Sequence, residues 1–200
     1  MSLEITQKTS GSWTPGLTDG EHEVLFRIAE DTLSWCLAGA AASFGFDGYR
    51  LTPGLEKEFA TFVTLRRHGE LRGCIGCVEP GETLARSVHR HTHRAATEDV
   101  RFSPMSERER LQIDIGISIL SALHPLESEE EFDVGRHGIL LRKDGCSAVY
   151  LPQVAHEQGW DREETLESLC HKGGLPDGAW RSNATMMVFE SVSLHREKTP

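Results

Sequence analysis

A chain of 200 residues can form one substantial domain or two small lobes on a shared core. Its formal net charge of -10 excludes a protein that grips nucleic acid by bulk electrostatics or docks on an anionic membrane. The apolar residues, 38% of the chain, fall in periodic runs, so a folded globular protein is expected.

Residues 1–20 are polar, with Ser, Thr, Gly and Pro and no apolar core of a leader sequence, and read as a flexible arm. Val24, Leu25, Ile28, Leu33 and Leu37 recur at helical spacing, predicting a helix from Glu21 to about Ala42. Phe44 to Pro53 is rich in glycine and turn formers and reads as a connection. Phe59–Leu65 and Leu71–Val78 have strand composition on either side of His68-Gly69-Glu70, the pattern of a hairpin. Glu79-Pro80-Gly81 stops the second strand, and a helix fits Glu82 to about Thr97 with Leu84, Val88, Ala95 and Ala96 inward.

Leu111, Ile113, Ile115, Ile117 and Ile119 alternate along a strand, leaving Gln112, Asp114, Gly116 and Ser118 on its other face. Ile139–Leu141 and Ser147–Leu151 suggest a second hairpin turning at Lys143-Asp144-Gly145. Asp161 with Glu164 three residues on predicts a capped helix to His171, ended by Gly173-Gly174. Thr185–Val192 supplies a last strand. Strands and helices without a regular βαβ rhythm predict an α+β fold with a mixed, largely antiparallel sheet flanked by helices. No apolar run approaches a bilayer span. The five cysteines (Cys36, Cys74, Cys77, Cys146 and Cys170) form an odd set without a framework, which predicts reduced thiols and a cytoplasmic protein.

The densest chemistry lies in Leu71-Arg72-Gly73-Cys74-Ile75-Gly76-Cys77. Arg72, Cys74 and Gly76 share one strand face. A guanidinium beside a thiol favours thiolate, and a glycine beside it leaves room for substrate. The competing reading is a small buried cysteine. Cys74-x-x-Cys77 does not open a helix as a thioredoxin-type pair does, and the second pair of a structural zinc site is missing. His89 and His93 stand at i,i+4, but no glutamate completes a zinc-protease motif. A solvated histidine face is the favoured reading there. His137, in a glycine-flanked turn, and His171, at a helix end beside Lys172, are candidate bases. Lys172 suits either an anion or the negative end of its helix. Asp99 and Arg101 read as a pair fixing a loop at a helix end, and Arg72 as a partner of Asp99 or Glu79.

Several ordered segments resemble the AMMECR-one domain family, also called protein A of the AmmeMemoRadiSam system. They are Phe62-Val63-Thr64-Leu65, Leu71-Arg72-Gly73-Cys74-Ile75-Gly76 (the LRGCIG motif), Ala95-Ala96 with Asp99-Val100-Arg101-Phe102, and Ile117-Ser118-Ile119-Leu120-Ser121. Val134-Gly135-Arg136-His137-Gly138, Leu151-Pro152-Gln153-Val154 and Lys172-Gly173-Gly174-Leu175-Pro176 complete them. The resemblance implies one domain over 21–195 with a larger and a smaller lobe, a cleft holding the LRGCIG motif, and genomic company with Memo-like and radical SAM proteins. Cys77 stands where the family usually has threonine, Val100 where proline is common, Gly173 where alanine is common, and Gly116 where an acidic residue is expected.

Two functions follow as expectations. One is an enzyme acting on a small anionic or metabolite-like substrate. It would use Cys74 as nucleophile or acid/base, Arg72 as anion clamp, and His137 or His171 as proton carrier. Gly73, Gly76, Asp99, Arg101 and Lys172 would line its substrate site. The other is a module without chemistry that binds a ligand or partner for Memo-like and radical SAM proteins. Partner expectations also include a homodimer, but neither nucleic acid nor membrane; the cofactor is left open and no metal is expected.

Overall fold

The protein, seen in a computed structural model that describes residues 4–40 and 43–196, has an α+β fold. In chain order its elements are β1 (Ile5–Thr9), α1 (Asp19–Leu37), β2 (Ala60–Arg67), β3 (Glu70–Gly76), α2 (Leu84–Thr97), β4 (Ile113–Leu120), β5 (His124–Pro125), β6 (Gly138–Lys143), β7 (Cys146–Tyr150), α3 (Pro152–Gln158), α4 (Arg162–Lys172), β8 (Thr185–Phe189) and β9 (Ser191–Arg196). The chain divides into two compact units. Among the described residues, one draws on 4–8, 15–40, 43–119 and 193–196, and the other comprises Thr9–Thr14 and Leu120–Val192.

The first unit is built on a five-stranded sheet in the order β1-β9-β4-β2-β3. Ile113, Ile115, Ile117 and Ile119 of β4 are buried, as are Val63 and Leu65 of β2 and Leu84 and Val88 of α2. This is the core that period-2 and period-3.6 patterning produce together. Helix α1 begins at a capping box, in which Thr18 accepts from the Glu21 N–H while the Glu21 carboxylate accepts from the Thr18 N–H at 2.7 Å. The β2–β3 hairpin turns on two residues, because Arg67 pairs with Glu70. His68 and Gly69 both take positive φ (53° and 82°), the backbone of a tight hairpin turn with the right twist.

The second unit carries a four-stranded sheet ordered β5-β8-β6-β7. Its core gathers Phe132, Ile139, Leu141, Leu166, Leu169, Cys170 and Trp180. The β6–β7 hairpin uses the same device as the first, with Asp144 at φ 51° and Gly145 at φ 81°. Asp161 caps α4 by accepting from the Glu164 N–H at 2.9 Å.

Several boundaries differ from the sequence reading. Within the first twenty residues, Ile5–Thr9 forms an edge strand beside β9. Four of its five residues are exposed, so backbone pairing holds it and apolar patterning gives no sign of it. The predicted helix end at Ala42 lies outside the described residues, and α1 itself stops at Leu37. Leu111 is not core but 69% exposed. It belongs to a 3-10 turn over Glu107–Gln112 that Ser106 and Glu109 cap, so the alternating strand starts only at Ile113. The single strand expected over Thr185–Val192 is two, β8 and β9, in different sheets. They break at Glu190, whose N–H donates to Ser121 Oγ and whose carbonyl accepts from the Ser121 N–H.

The histidine face is the largest correction. His89 is half-buried, stacks on Phe44 at 4.1 Å between ring centroids, and packs against Trp35 and Phe46. Its Nδ1 lies 2.8 Å from Thr32 Oγ1, and burial pushes its pKa down to about 4. The connecting segment after α1 therefore supplies an aromatic cover that the i,i+4 spacing alone does not reveal.

Candidate functional site

The two faces of the β2–β3 hairpin have different chemistry. Thr61, Val63 and Leu65 are buried on the side where α2 packs. Thr61 Oγ1 is 2.7 Å from Ser87 Oγ and 2.9 Å from His91 Nδ1, both on α2. Gly73 belongs to this side too, since a β-carbon built on it would run into the Ala95 carbonyl oxygen of α2. Phe62 and Thr64 of β2, with Cys74 and Gly76 of β3, occupy the other face, as alternation predicts, and Arg72 stands at a bulge, since Leu65 pairs with Gly73 but Arg66 with Leu71.

On that face Thr64 pairs directly with Cys74, and Thr64 Oγ1 lies 3.3 Å from Cys74 Sγ. Gly76 does not leave space for a substrate. It pairs with Phe62, whose ring fills the place a side chain would take. Gly116 of β4, beside Thr64, is itself buried and closely packed. A β-carbon there would sit 3.7 Å from Thr64 Cβ and 3.3 Å from Nδ1 of His195 on β9.

Cys74 is held by its main chain. Its N–H donates to Asp99 Oδ2 at 2.8 Å, and its carbonyl accepts from Arg101 Nη2 at 3.2 Å. Arg101 grips the same carboxylate through Nε to Oδ1 at 2.9 Å and Nη2 to Oδ2 at 2.7 Å. Asp99 is only 6% exposed. Its pKa is drawn down to about 2, first by the Arg101 side-chain hydrogen bonds and then by the Cys74 and Arg101 N–H groups, against burial. Arg101 holds its proton more tightly, chiefly through Asp99, with Cys74 a lesser contributor. The loop-fixing pair read from the Asp99-x-Arg101 spacing is thus present, and its second task is to immobilise Cys74.

Arg72 finds neither Asp99 nor Glu79. Its Nε donates to Glu109 Oε1 at 2.8 Å and its Nη2 to Oε2 at 3.4 Å, with the two side chains 13% and 15% exposed. The Arg72 hydrogen bond, helped by the Ser106 N–H, lowers the Glu109 pKa to about 2. Glu109 takes the Nε–Nη2 edge of the guanidinium, the same side-on geometry in which Arg101 holds Asp99. Phe102 lies beneath both guanidinium groups, 5.9 Å from Arg72 and 5.5 Å from Arg101.

The structure therefore gathers Arg72, Gly73, Cys74, Gly76, Asp99 and Arg101 in the first unit. His137, His171 and Lys172 belong to the second, and each is engaged there. His137 Nδ1 accepts from the Asp133 N–H at 3.2 Å, and burial lowers its pKa. His171 Nε2 lies 2.5 Å from Asp177 Oδ1. Lys172 donates to the Val149 carbonyl at 2.8 Å and sits 4.4 Å from the centre of the Tyr150 ring.

Among the described residues, no group of three or more His, Cys, Asp and Glu side chains is placed to hold a metal ion, and no helix is long and apolar enough to cross a membrane. All five cysteines are free thiols. Burial pushes Cys36 up to about 11 and raises Cys170, which suppresses thiolate at both.

Sequence reading missed Glu109 and His195. Glu109 had a detectable signal, the Ser106-x-x-Glu109 capping spacing. His195 had none, because the order of distant strands in a sheet is not written in the local pattern.

The AMMECR1 family profile matches residues 27–194. Protein MK0488 of Methanopyrus kandleri is 38% identical over 157 residues, covering 74% of this chain and 76% of its own. A protein of Methanosarcina mazei is 32% identical over 190 residues, 92% of this chain and 95% of its own. The crystal structure of the uncharacterized protein PH0010 from Pyrococcus horikoshii superposes with a TM-score of 0.83 at 28% identity. That match covers 92% of this chain and 96% of the other.

Proposed function

The chain belongs to the AMMECR1 family, and from that premise we propose that it is an enzyme. It acts on a small metabolite-like substrate at the polar face around Cys74, with the thiol as nucleophile or acid/base. The observation that carries this reading is the main-chain clamp. Both backbone polar groups of Cys74 are bound by the Asp99–Arg101 pair, while its side chain stays half-buried on a polar face. A cysteine that served only as core would have no need of an ionic cradle. Arg101, about half exposed and hydrogen-bonded to the Cys74 carbonyl, is the cation placed to meet an anionic substrate. Arg72 braces the neighbouring strand position through Glu109. Reduced thiols suit a cytoplasmic protein, and the resemblance adds Memo-like and radical SAM proteins as partners.

Competitive alkylation with sub-stoichiometric iodoacetamide, read by peptide mapping, tests this. Cys74 is expected to be modified at least about tenfold faster than Cys36 or Cys170 and several-fold faster than Cys77 or Cys146. Arg101→Gln should abolish most of that advantage and Arg101→Lys keep part of it. Labelling of Cys74 no faster than Cys146 would remove the nucleophile.

One observation favours the second reading, a non-catalytic binding module. Val100, between Asp99 and Arg101, is 98% exposed, and a fully exposed apolar side chain beside a candidate site suits partner docking. In that case Val100→Glu would weaken partner binding while Cys74 labelling showed no preference.

A further inference from the structure

β3 stands at one end of the five-stranded sheet, so its outer edge has no strand of that sheet beside it. The Cys77 N–H donates to the Thr61 carbonyl at 2.9 Å, which makes that pair a hydrogen-bonded one. Antiparallel pairs alternate between bonded and non-bonded. In the register Phe62–Gly76, Val63–Ile75 and Thr64–Cys74, the main-chain groups of Ile75 therefore face β2. Those of Cys74 and Gly76 face the outer edge. The bonds of Cys74 to Asp99 and Arg101 obey this parity.

The two outward residues differ. At Cys74 the Asp99–Arg101 pair takes the place of a further strand, accepting from the N–H and donating to the carbonyl. At Gly76 neither the N–H nor the carbonyl has a hydrogen-bond partner among the described residues. Phe62 covers the sheet face at Gly76, but the edge lies in the plane of the sheet. Arg101 spends Nε and Nη2 on Asp99 and the Cys74 carbonyl, and its Nη1 has no partner among the described residues. Arg67, Arg72 and Arg101 outnumber the carboxylates they bind, Asp99 and Glu109. This corner is thus locally positive on a chain of formal net charge -10.

We propose that the outer edge of β3 at Gly76 binds the C-terminal end of an extended peptide, with Arg101 receiving its carboxylate. Strand addition to an open edge is a general mode of peptide recognition. A peptide antiparallel to β3 runs from Gly76 toward Cys74. One of its residues exchanges both hydrogen bonds with Gly76, and the next lies opposite Ile75. A third would collide with the Asp99–Arg101 pair opposite Cys74. The peptide must end there, where its carboxylate meets the guanidinium. A parallel peptide would bring its amino terminus to Arg101, like charge against like. The blocked position and the cation together select a free C-terminus over a passing strand. This site goes beyond the reading of Cys74 as a reactive thiol and does not depend on it.

The Gly76 N–H can be observed alone. Ile precedes Gly only at Ile75-Gly76 and Ile115-Gly116, so carbonyl-labelled Ile with nitrogen-labelled Gly gives two NMR signals. Ile115→Val removes the second, which otherwise serves as the buried internal reference. N-acetyl-alanyl-alanine is titrated into the wild-type protein at constant ionic strength, against its C-terminal amide and against sodium acetate. The acid is expected to shift the Gly76 signal saturably in the millimolar range, as so small a ligand permits, and to leave Gly116 in place. The amide should bind at least about fivefold more weakly, and Arg101→Gln should bring the acid down to the level of the amide. An unmoved Gly76 signal, or one that moves no more than Gly116, overturns the proposal. So does an amide that binds as well as the acid, or acetate that matches the peptide. The wild-type titrations decide even if Arg101→Gln fails to fold. They are also independent of thiol reactivity, so an inert Cys74 with a saturable Gly76 shift defeats the enzymatic reading and leaves the peptide site standing.

Discussion

Gly73→Ala is expected to destabilise the protein by about 3 kcal/mol, near the upper end of what overpacking costs. For a chain of this size that corresponds to a fall of roughly 6–12 °C in the unfolding midpoint. The added methyl meets the Ala95 carbonyl oxygen, an atom of the α2 main chain that no rotamer change can move. Relief requires α2 to lift from β3. Ala95 lies in the last turn of α2, and Asp99 follows two residues after that helix ends at Thr97. Lifting the helix therefore also draws the Asp99 carboxylate from the Cys74 N–H. Thermal unfolding should show the loss, with Gly81→Ala as the control. Nothing lies within 4 Å of a β-carbon at Gly81, so its replacement should change stability by no more than about 0.5 kcal/mol. A Gly73→Ala protein as stable as wild type would mean that α2 is not seated as described.

The same glycine shows what the sequence could and could not say. In Leu71-Arg72-Gly73-Cys74-Ile75-Gly76, alternation correctly separates Cys74 and Gly76 from Gly73 and Ile75, because the period of a strand is a local property, though it does not show the bulge at Arg72. It says nothing of what covers each face. The pattern suggests backbone open to a ligand at Gly73 and Gly76, whereas one seats a helix and the other an aromatic ring. Charge pairing divides the same way. Asp99 with Arg101 was legible from a two-residue spacing. Arg72 with Glu109 spans 37 residues and depends on where a 3-10 turn delivers Glu109. His195 lay outside every motif. It reaches the site only because β9 is placed next to β4, which is a fact of sheet topology. Local chemistry was readable here; the partners that tertiary structure supplies were not.

Asp99→Asn is the other substitution with a large expected effect, about 2–3 kcal/mol at neutral pH. Each Asp99 oxygen accepts from two N–H donors, so Asn keeps two of the four bonds as weaker neutral ones and sets an amide NH2 against the other two donors in a buried place. The side chain keeps its shape, so the loss reports the charge and acceptors of the carboxylate rather than packing. The pH dependence has a definite sign. The folded-state pKa of Asp99 is lowered from 3.8 to about 2, so the unfolded chain takes up the proton first. The carboxylate's contribution is complete above about pH 4 and is lost as pH falls toward 2. Urea unfolding at pH 7 and at pH 2.5 should therefore show a wide gap between wild type and Asp99→Asn that narrows markedly at the lower value. Glu109, also lowered to about 2, weakens both proteins alike in that range and leaves the difference to Asp99. A gap of equal size at both pH values would mean that the Asn variant fails through packing, and that the charge of Asp99 is not what holds Cys74. A gap that closes, together with slower alkylation of Cys74 in the variant at pH 7, would tie the ionic cradle to the thiol it encloses.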